Sequence, residues 1–342
     1  MSPISHAPSA DAELERALLR VLVAAYPDAV AVRDLRRLSG GASQETWSFA
    51  IETTAAPVRL ILRRAPGGRE HGGLPASIPL ATEAKLIQLA AVAGTPVPRV
   101  IRVLVPTDGA GPGFVMEHVD GETIPRKILR DPEFATARPQ LATQCGAVLA
   151  RIHSIDVGHI PELRPQSARD QVAQYRGIYD AFDDPRPVFE LAFRWLEDNL
   201  PAAVEPRVVH GDFRNGNLIV GADGLRAVLD WELAHVGDPC ADLGWICVAS
   251  WRFGEIDAPV GGFGQREDLF AAYEAGGGGP VDPARVRFWE VFGTLKWGVI
   301  CMMMYGAYAS GLDRSVERAA IGRRVSETEI DLLELLAPSE EN

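Results

Sequence analysis

The chain has 342 residues, of which 47% are hydrophobic and 23% charged, a globular composition with room for one large domain or two lobes. Its formal net charge of −12 argues against a nucleic-acid binder, which needs a basic face, and is compatible with a cationic small-molecule substrate. The longest run without Asp, Glu, Lys or Arg, Trp297 to Leu312, is short for a membrane span.

The cysteines (Cys145, Cys240, Cys247, Cys301) form no CxxC pair and no metal-ligand spacing. No basic segment followed by an apolar core opens the chain, so the expected location is the reducing cytoplasm.

In chain order, an amphipathic helix starts at Asp11, with Leu14, Leu18, Val21, Leu22 and Ala25 on one face. Leu35 to Glu52 reads as strand, glycine turn, strand, and Val58 to Arg64 as the next strand. The Pro- and Gly-rich stretch Pro66 to Pro79 is a loop. A helix follows from Leu80 to Ala93, stopped by Gly94 and the prolines beyond it. Val100 to Val105 and Gly113 to His118 complete a small sheet.

After Asp120 the pattern turns helical. Arg138 to Ser154 carries one apolar stripe, and helices are expected over 168–181 and 187–200, separated by Asp183-Asp184-Pro185. Leu218 to Val220 and Leu225 to Leu229 form a hairpin about the turn Gly221-Ala222-Asp223-Gly224. His235 to Pro239 is expected as a loop and Ala241 to Trp251 as an apolar helix. Phe288 to Tyr305, dense in Trp, Phe and Met, reads as a core helix, or as the lining of an adaptable acceptor pocket. Two charged helical segments, 314–324 and 326–336, end the chain.

The chemistry concentrates in Val208 to Trp231, VVHGDFRNGNLIVGADGLRAVLDW. A carboxylate (Asp212) is followed five residues later by an amide (Asn217), and a strand then carries a second carboxylate (Asp230). Phosphoryl transfer from a nucleotide needs one carboxylate to orient and deprotonate the acceptor hydroxyl, which suits Asp212. It also needs hard oxygen ligands for Mg2+, which suits Asn217 and Asp230. A polar turn over a hairpin would use the same residue types, but not three suited groups at this spacing.

The pattern is close to the protein-kinase set His-Arg-Asp…Asn…Asp-Phe-Gly, with Gly211 for the Arg and Trp231-Glu232 for Phe-Gly. The wording HGDFRNGNLIV…VLDWELAHVGDPCADLGW resembles the aminoglycoside phosphotransferase and choline kinase-like family, in particular its acyl-CoA dehydrogenase-associated branch. The resemblance runs from about Arg33 to the C-terminus. It implies an α+β, bilobal protein-kinase-like fold: a small antiparallel-sheet lobe over 1–117 with an extra N-terminal helix, and a mostly helical lobe over 118–342.

It further implies a nucleotide loop at Ser39, Gly40, Gly41, Ala42 and Ser43, although only one glycine pair is present there. It puts a phosphate-holding cation, paired to Glu83, at Arg63 or at the adjacent Arg64, where lysine is usual, with Arg63 the matching position. The hinge would lie at Met116, Glu117 and Val119, with backbone groups of Glu117 to Val119 on the adenine. Asp242 would tie its helix to the catalytic-loop backbone, and His210 would orient that loop. The expected ligands are ATP or GTP, Mg2+ and a small hydroxylated acceptor that is aminoglycoside-like, choline-like or hydroxyacyl- and lipid-like. The competing reading, prompted by Arg63 and the thin glycine loop, is a catalytically inactive nucleotide-binding scaffold.

Overall fold

The computed structural model describes residues 10–38, 44–68 and 77–336, and its chain divides into two compact units. The first comprises residues 1–120 together with Leu229–Leu233; the second comprises 121–228 and 234–342. The expected nucleotide loop, Ser39 to Ser43, and residues 69–76 of the Pro- and Gly-rich loop lie outside the described residues.

The first unit opens with α1 (Ala10–Leu22). It continues through β1 (Ala31–Arg37), β2 (Glu45–Glu52), β3 (Val58–Arg64), α2 (Leu80–Val92), β4 (Val100–Leu104) and β5 (Gly113–Glu117). The strands form one antiparallel sheet in the order β1-β2-β3-β5-β4. Strand β2 alternates strictly, burying Glu45, Trp47, Phe49 and Ile51, the period of two expected of a strand with one covered face. The cover is α1. Its Leu14, Leu18 and Leu22 join Trp47, Phe49, Ile51, Leu60, Leu62 and Val115 in one core. The helix stops at Leu22, so Ala25, expected on the apolar face, is exposed.

The second unit contains α3 (Pro125–Arg130), α4 (Arg138–His153), α5 (Ala168–Asp180), α6 (Pro187–Asp198), β6 (Arg207–Val209), β7 (Leu218–Gly221), β8 (Gly224–Val228), β9 (His235–Gly237), α7 (Cys240–Trp245), α8 (Arg266–Ala275), α9 (Pro283–Ala309), α10 (Val316–Gly322) and α11 (Val325–Leu336). Strands β7 and β8 form the expected hairpin. His235–Gly237, expected as loop, is instead a buried strand paired antiparallel with β6. Three residues are too few to carry a readable period, so only the pairing reveals it.

The helix expected over 241–251 ends at Trp245, because its next carbonyls have tertiary partners. Ile246 O accepts from Gly261 N (3.1 Å) and Cys247 O from the Arg252 guanidinium (2.7 Å), which leaves Val248 extended and a single 3-10 turn at Ala249–Trp251. Helix α9 runs longer than expected; Phe288, Trp289, Phe292 and Met302 are buried, whereas Met303 and Met304 are partly exposed. All four cysteines are buried free thiols. Among the described residues, no helix is long and apolar enough to cross a membrane.

Helices α4 and α8 approach closely at Gly146, where a Cβ would run into the Leu269 carbonyl and meet Ala272 Cβ at 3.0 Å. Backbone cannot yield as a flexible side chain can, so Gly146→Val should lower stability by about 2–3 kcal/mol through overpacking. A urea-unfolding midpoint equal to that of the wild type would refute this close approach.

Candidate active site

The loop expected to be catalytic leaves β6 at His210 and enters β7 at Leu218, and its backbone is pinned by a buried carboxylate. Buried Asp242, on α7, accepts from the backbone N–H of His210 (2.8 Å) and of Gly211 (2.9 Å), and binds His153 Nε2 (3.0 Å). The other ring nitrogen of His153 meets the Tyr273 hydroxyl at 2.8 Å. Burial pushes the Asp242 carboxyl up, but the His153 hydrogen bond, its charge interactions with His153 and His210 and the His210 N–H outweigh it, so the carboxyl lies below the usual carboxylate range. His153, the last residue of α4, thus holds the carboxylate that holds the loop.

Gly211 has φ +81, which favours glycine and turns Asp212 out of the strand direction. Asp212 is then surrounded by donors. Its Oδ1 accepts from Trp245 Nε1 (2.8 Å) and Arg214 Nε (3.1 Å), and its Oδ2 from Asn217 Nδ2 (2.6 Å). The Asp212 N–H points to His210 Nδ1 at 3.2 Å, so His210 touches the loop it was expected to orient. Asp212, Asn217 and His210 therefore form one connected constellation within the second unit.

In the first unit, Arg63 on β3 is the centre. Its Nε lies 3.1 Å from the Glu83 carboxylate, and its terminal nitrogen contacts Asp230 (2.6 Å) and Glu232 (3.0 Å). Asp230 adopts φ +64, an uncommon conformation for a non-glycine residue. Arg64, the neighbouring candidate, faces elsewhere: it pairs with Glu45 (2.9 Å) and lies over the Trp47 ring. Only Arg63 reaches Glu83.

One guanidinium thus serves three carboxylates. Burial pushes the Glu83 carboxyl up to about 7, opposed by Arg63 and assisted by the negative charges of Asp230 and Glu232. A carboxyl raised above its ordinary 4.5 stabilises the fold fully below that pH and loses the contribution as pH rises through 7, an effect on the order of 3 kcal/mol. Glu83→Gln lacks this titration. Relative to the wild type it should gain about that much between pH 4.5 and 7.5 in urea unfolding; a constant difference between the two proteins would contradict it.

At the expected hinge, Met116 is buried on β5. The Glu117 N–H is donated to Arg99 O (2.9 Å) and that of His118 to Arg59 O (3.2 Å), so these two donors are engaged by neighbouring backbone. The Val119 N–H has no partner among the described residues.

Sequence reasoning missed two groups. Trp245 and Lys296 stand around Asp212, but the first lies 33 residues away in the chain and the second on α9. No local spacing announces either one. Arg214 stood inside the motif with no role attached. Among the described residues, no cluster of three or more His, Cys, Asp or Glu forms a metal site by itself.

The phosphotransferase enzyme family (APH) matches residues 34–289. Acyl-CoA dehydrogenase family member 10 of Mus musculus is 28% identical over 303 residues, which cover 82% of this chain and 27% of that protein, so the chain spans about a quarter of the relative's length. A Ralstonia eutropha JMP134 protein provisionally named an aminoglycoside phosphotransferase superposes with a TM-score of 0.71 at 20% identity, covering 94% of this chain and 97% of its own. A spectinomycin phosphotransferase solved with ADP and spectinomycin gives 0.61 at 13% identity, covering 94% and 98%. At such identities the likeness carries the fold, which is the bilobal protein-kinase-like one. With the family pattern running from β1 through the His210–Asn217 loop to α9, the chain belongs to the phosphotransferase enzyme family.

Proposed function

We propose that the chain is a small-molecule kinase that moves the γ-phosphate of ATP or GTP to a hydroxyl of its acceptor. The observation that carries this reading is the Asp212 carboxylate, oriented by Trp245, Arg214 and Asn217 at the mouth of a loop pinned by Asp242. Held this way, Asp212 receives the proton of the acceptor hydroxyl as it attacks. Arg63, positioned by Glu83, holds the donor phosphates and gives up its contacts to Asp230 and Glu232 to do so. The Val119 N–H and the Glu117 carbonyl face the adenine, and Met116 lines its pocket.

Asn217 offers an amide oxygen and Asp230 a carboxylate, the hard donors that Mg2+ takes, and an ion arriving with nucleotide phosphates needs few more from the protein. When bound, Mg2+ neutralises charge on the transferring phosphate. The one cation among three carboxylates around Arg63 leaves that cluster net negative, which suits a divalent ion.

The ADP-bound spectinomycin phosphotransferase supports a nucleotide donor. Aminoglycoside-like, choline-like and hydroxyacyl- or lipid-like acceptors all carry the required hydroxyl. The cations beside Asp212, Arg214 at 3.1 Å and Lys296 over the Trp245 ring, favour a neutral or anionic acceptor over a polyamine. The test is transfer from Mg-ATP and Mg-GTP to a panel of aminoglycosides, choline-like amines, macrolides, sugars and hydroxyacyl thioesters. Transfer to one class supports the reading. Nucleotide binding without transfer to any of them favours the inactive scaffold.

A further inference from the structure

We infer that Lys296, acting through Trp245 and the Gly211–Asp212 peptide, is a positioning residue for the Asp212 carboxylate; this rests on the kinase reading of the site. Lys296 enters from α9, far from the catalytic loop in sequence. Its ammonium lies 4.5 Å from the centroid of the Trp245 ring and 3.3 Å from the Gly211 carbonyl. Trp245 is buried, and the N–H of the same indole is the 2.8 Å donor to Asp212 Oδ1. The cation therefore holds the face of the ring whose edge aims the carboxylate.

The second contact acts on the backbone. Gly211 C=O and Asp212 N–H are the two ends of one planar peptide unit. Lys296 takes the carbonyl and His210 Nδ1 meets the N–H at 3.2 Å. With the Gly211 N–H fixed on Asp242, the plane that sets the direction of the Asp212 Cα–Cβ bond has no rotation left. Side chain and backbone of Asp212 are thus constrained by one ammonium.

A packing role does not account for a lysine here. Burial pushes its pKa below the ordinary lysine value even though Asp212 and Asp242 pull it up. Among the described residues its hydrogen-bond acceptor is a single neutral carbonyl. A part-buried ammonium whose one hydrogen-bond acceptor is a neutral carbonyl is a costly way to fill this space, and methionine would fill it without desolvating a charge. The cation is retained for what it orients.

The test compares wild type, Lys296→Met, Trp245→Phe and the double variant, each checked for a native melting transition. In a 15N-edited spectrum the chain's seven tryptophans give seven indole N–H signals, and the signal missing from Trp245→Phe belongs to Trp245. Lys296→Met should displace that signal. With the acceptor found in the panel, both single variants should lower kcat roughly 10–100-fold at unchanged KM for Mg-ATP, as expected for a misplaced catalytic group. The double variant should be no worse than the poorer single one, because both act along one chain of contacts. An unmoved Trp245 signal with kcat within twofold of wild type, or fully additive losses, would overturn the assignment. If the wild type transfers phosphate to nothing, the kinase reading falls by itself and the indole signal alone decides whether Lys296 positions Trp245.

Discussion

Asp212→Asn is expected to lower γ-phosphate transfer by roughly 10²–10⁴-fold while leaving Mg-ATP binding in place, the range that loss of a positioned general base produces. Asparagine is the informative substitution. It preserves the volume, and its amide oxygen still accepts from the Trp245 indole and Arg214, so that of the three side-chain donors only Asn217 Nδ2 loses its side-chain acceptor, whereas alanine would take that acceptor from all three. What it lacks is the capacity to take a proton. Nucleotide binding is read by thermal shift, since a ligand that binds only the native state raises its melting temperature. A variant that binds Mg-ATP and transfers at the wild-type rate would remove Asp212 from the chemistry. A variant that no longer binds would show that Asp212 serves the nucleotide and not the acceptor.

Arg63→Met carries the second large effect, this time on the fold. The guanidinium is the shared partner of Glu83, Asp230 and Glu232, with its side chain only 12% exposed and that of Glu83 2% exposed. Removing one member of a buried ion cluster leaves charges uncompensated in low dielectric, typically at a cost of about 3–5 kcal/mol. The sign of the pH dependence follows from Glu83. Without the cation its carboxyl rises further above the ordinary 4.5, so the folded variant binds a proton more tightly than the unfolded chain does. Its deficit against wild type should therefore shrink as pH falls from 7 toward 4.5. Urea unfolding at the two ends of that range checks this, and a deficit that stays constant would mean that the three carboxylates do not share the charge. Arg63→Lys should fall between the two proteins, because an ammonium cannot span three carboxylates as the planar fork does.

Much of this was legible before any coordinates. Val58–Arg64 stands out as an apolar run ending in two arginines, and α2 begins directly after Pro79, where the proline marks the boundary. Asp212, Asn217 and Asp230 stand out in the sequence because the proposed kinase chemistry would need those groups within a short stretch of chain. The choice between Arg63 and Arg64 was not legible, since neighbouring strand residues point to opposite faces and only the sheet says which faces Glu83. Nor was the commitment of the Glu117 and His118 N–H groups to Arg99 and Arg59, which depends on strand pairing. The end of α7 was hidden for a similar reason: Gly261 and Arg252 take the carbonyls that would have continued it. Trp245 and Lys296 reach Asp212 only through tertiary packing, which leaves no trace in local spacing.

The grouping of Leu229–Leu233 with residues 1–120 bears on how the chain acquires its structure during synthesis. Two of the three acidic partners of Arg63, Asp230 and Glu232, lie on that late segment, behind the whole of residues 121–228. At ribosomal speeds that intervening stretch takes roughly 5–20 s to emerge. For that interval the early part of the chain already carries Arg63 on β3 and Glu83 on α2 but lacks the two acids that complete their cluster. The small unit is thus a discontinuous folding unit, finished in the middle of making the second one, and a nascent chain halted before Leu229 would hold it incomplete.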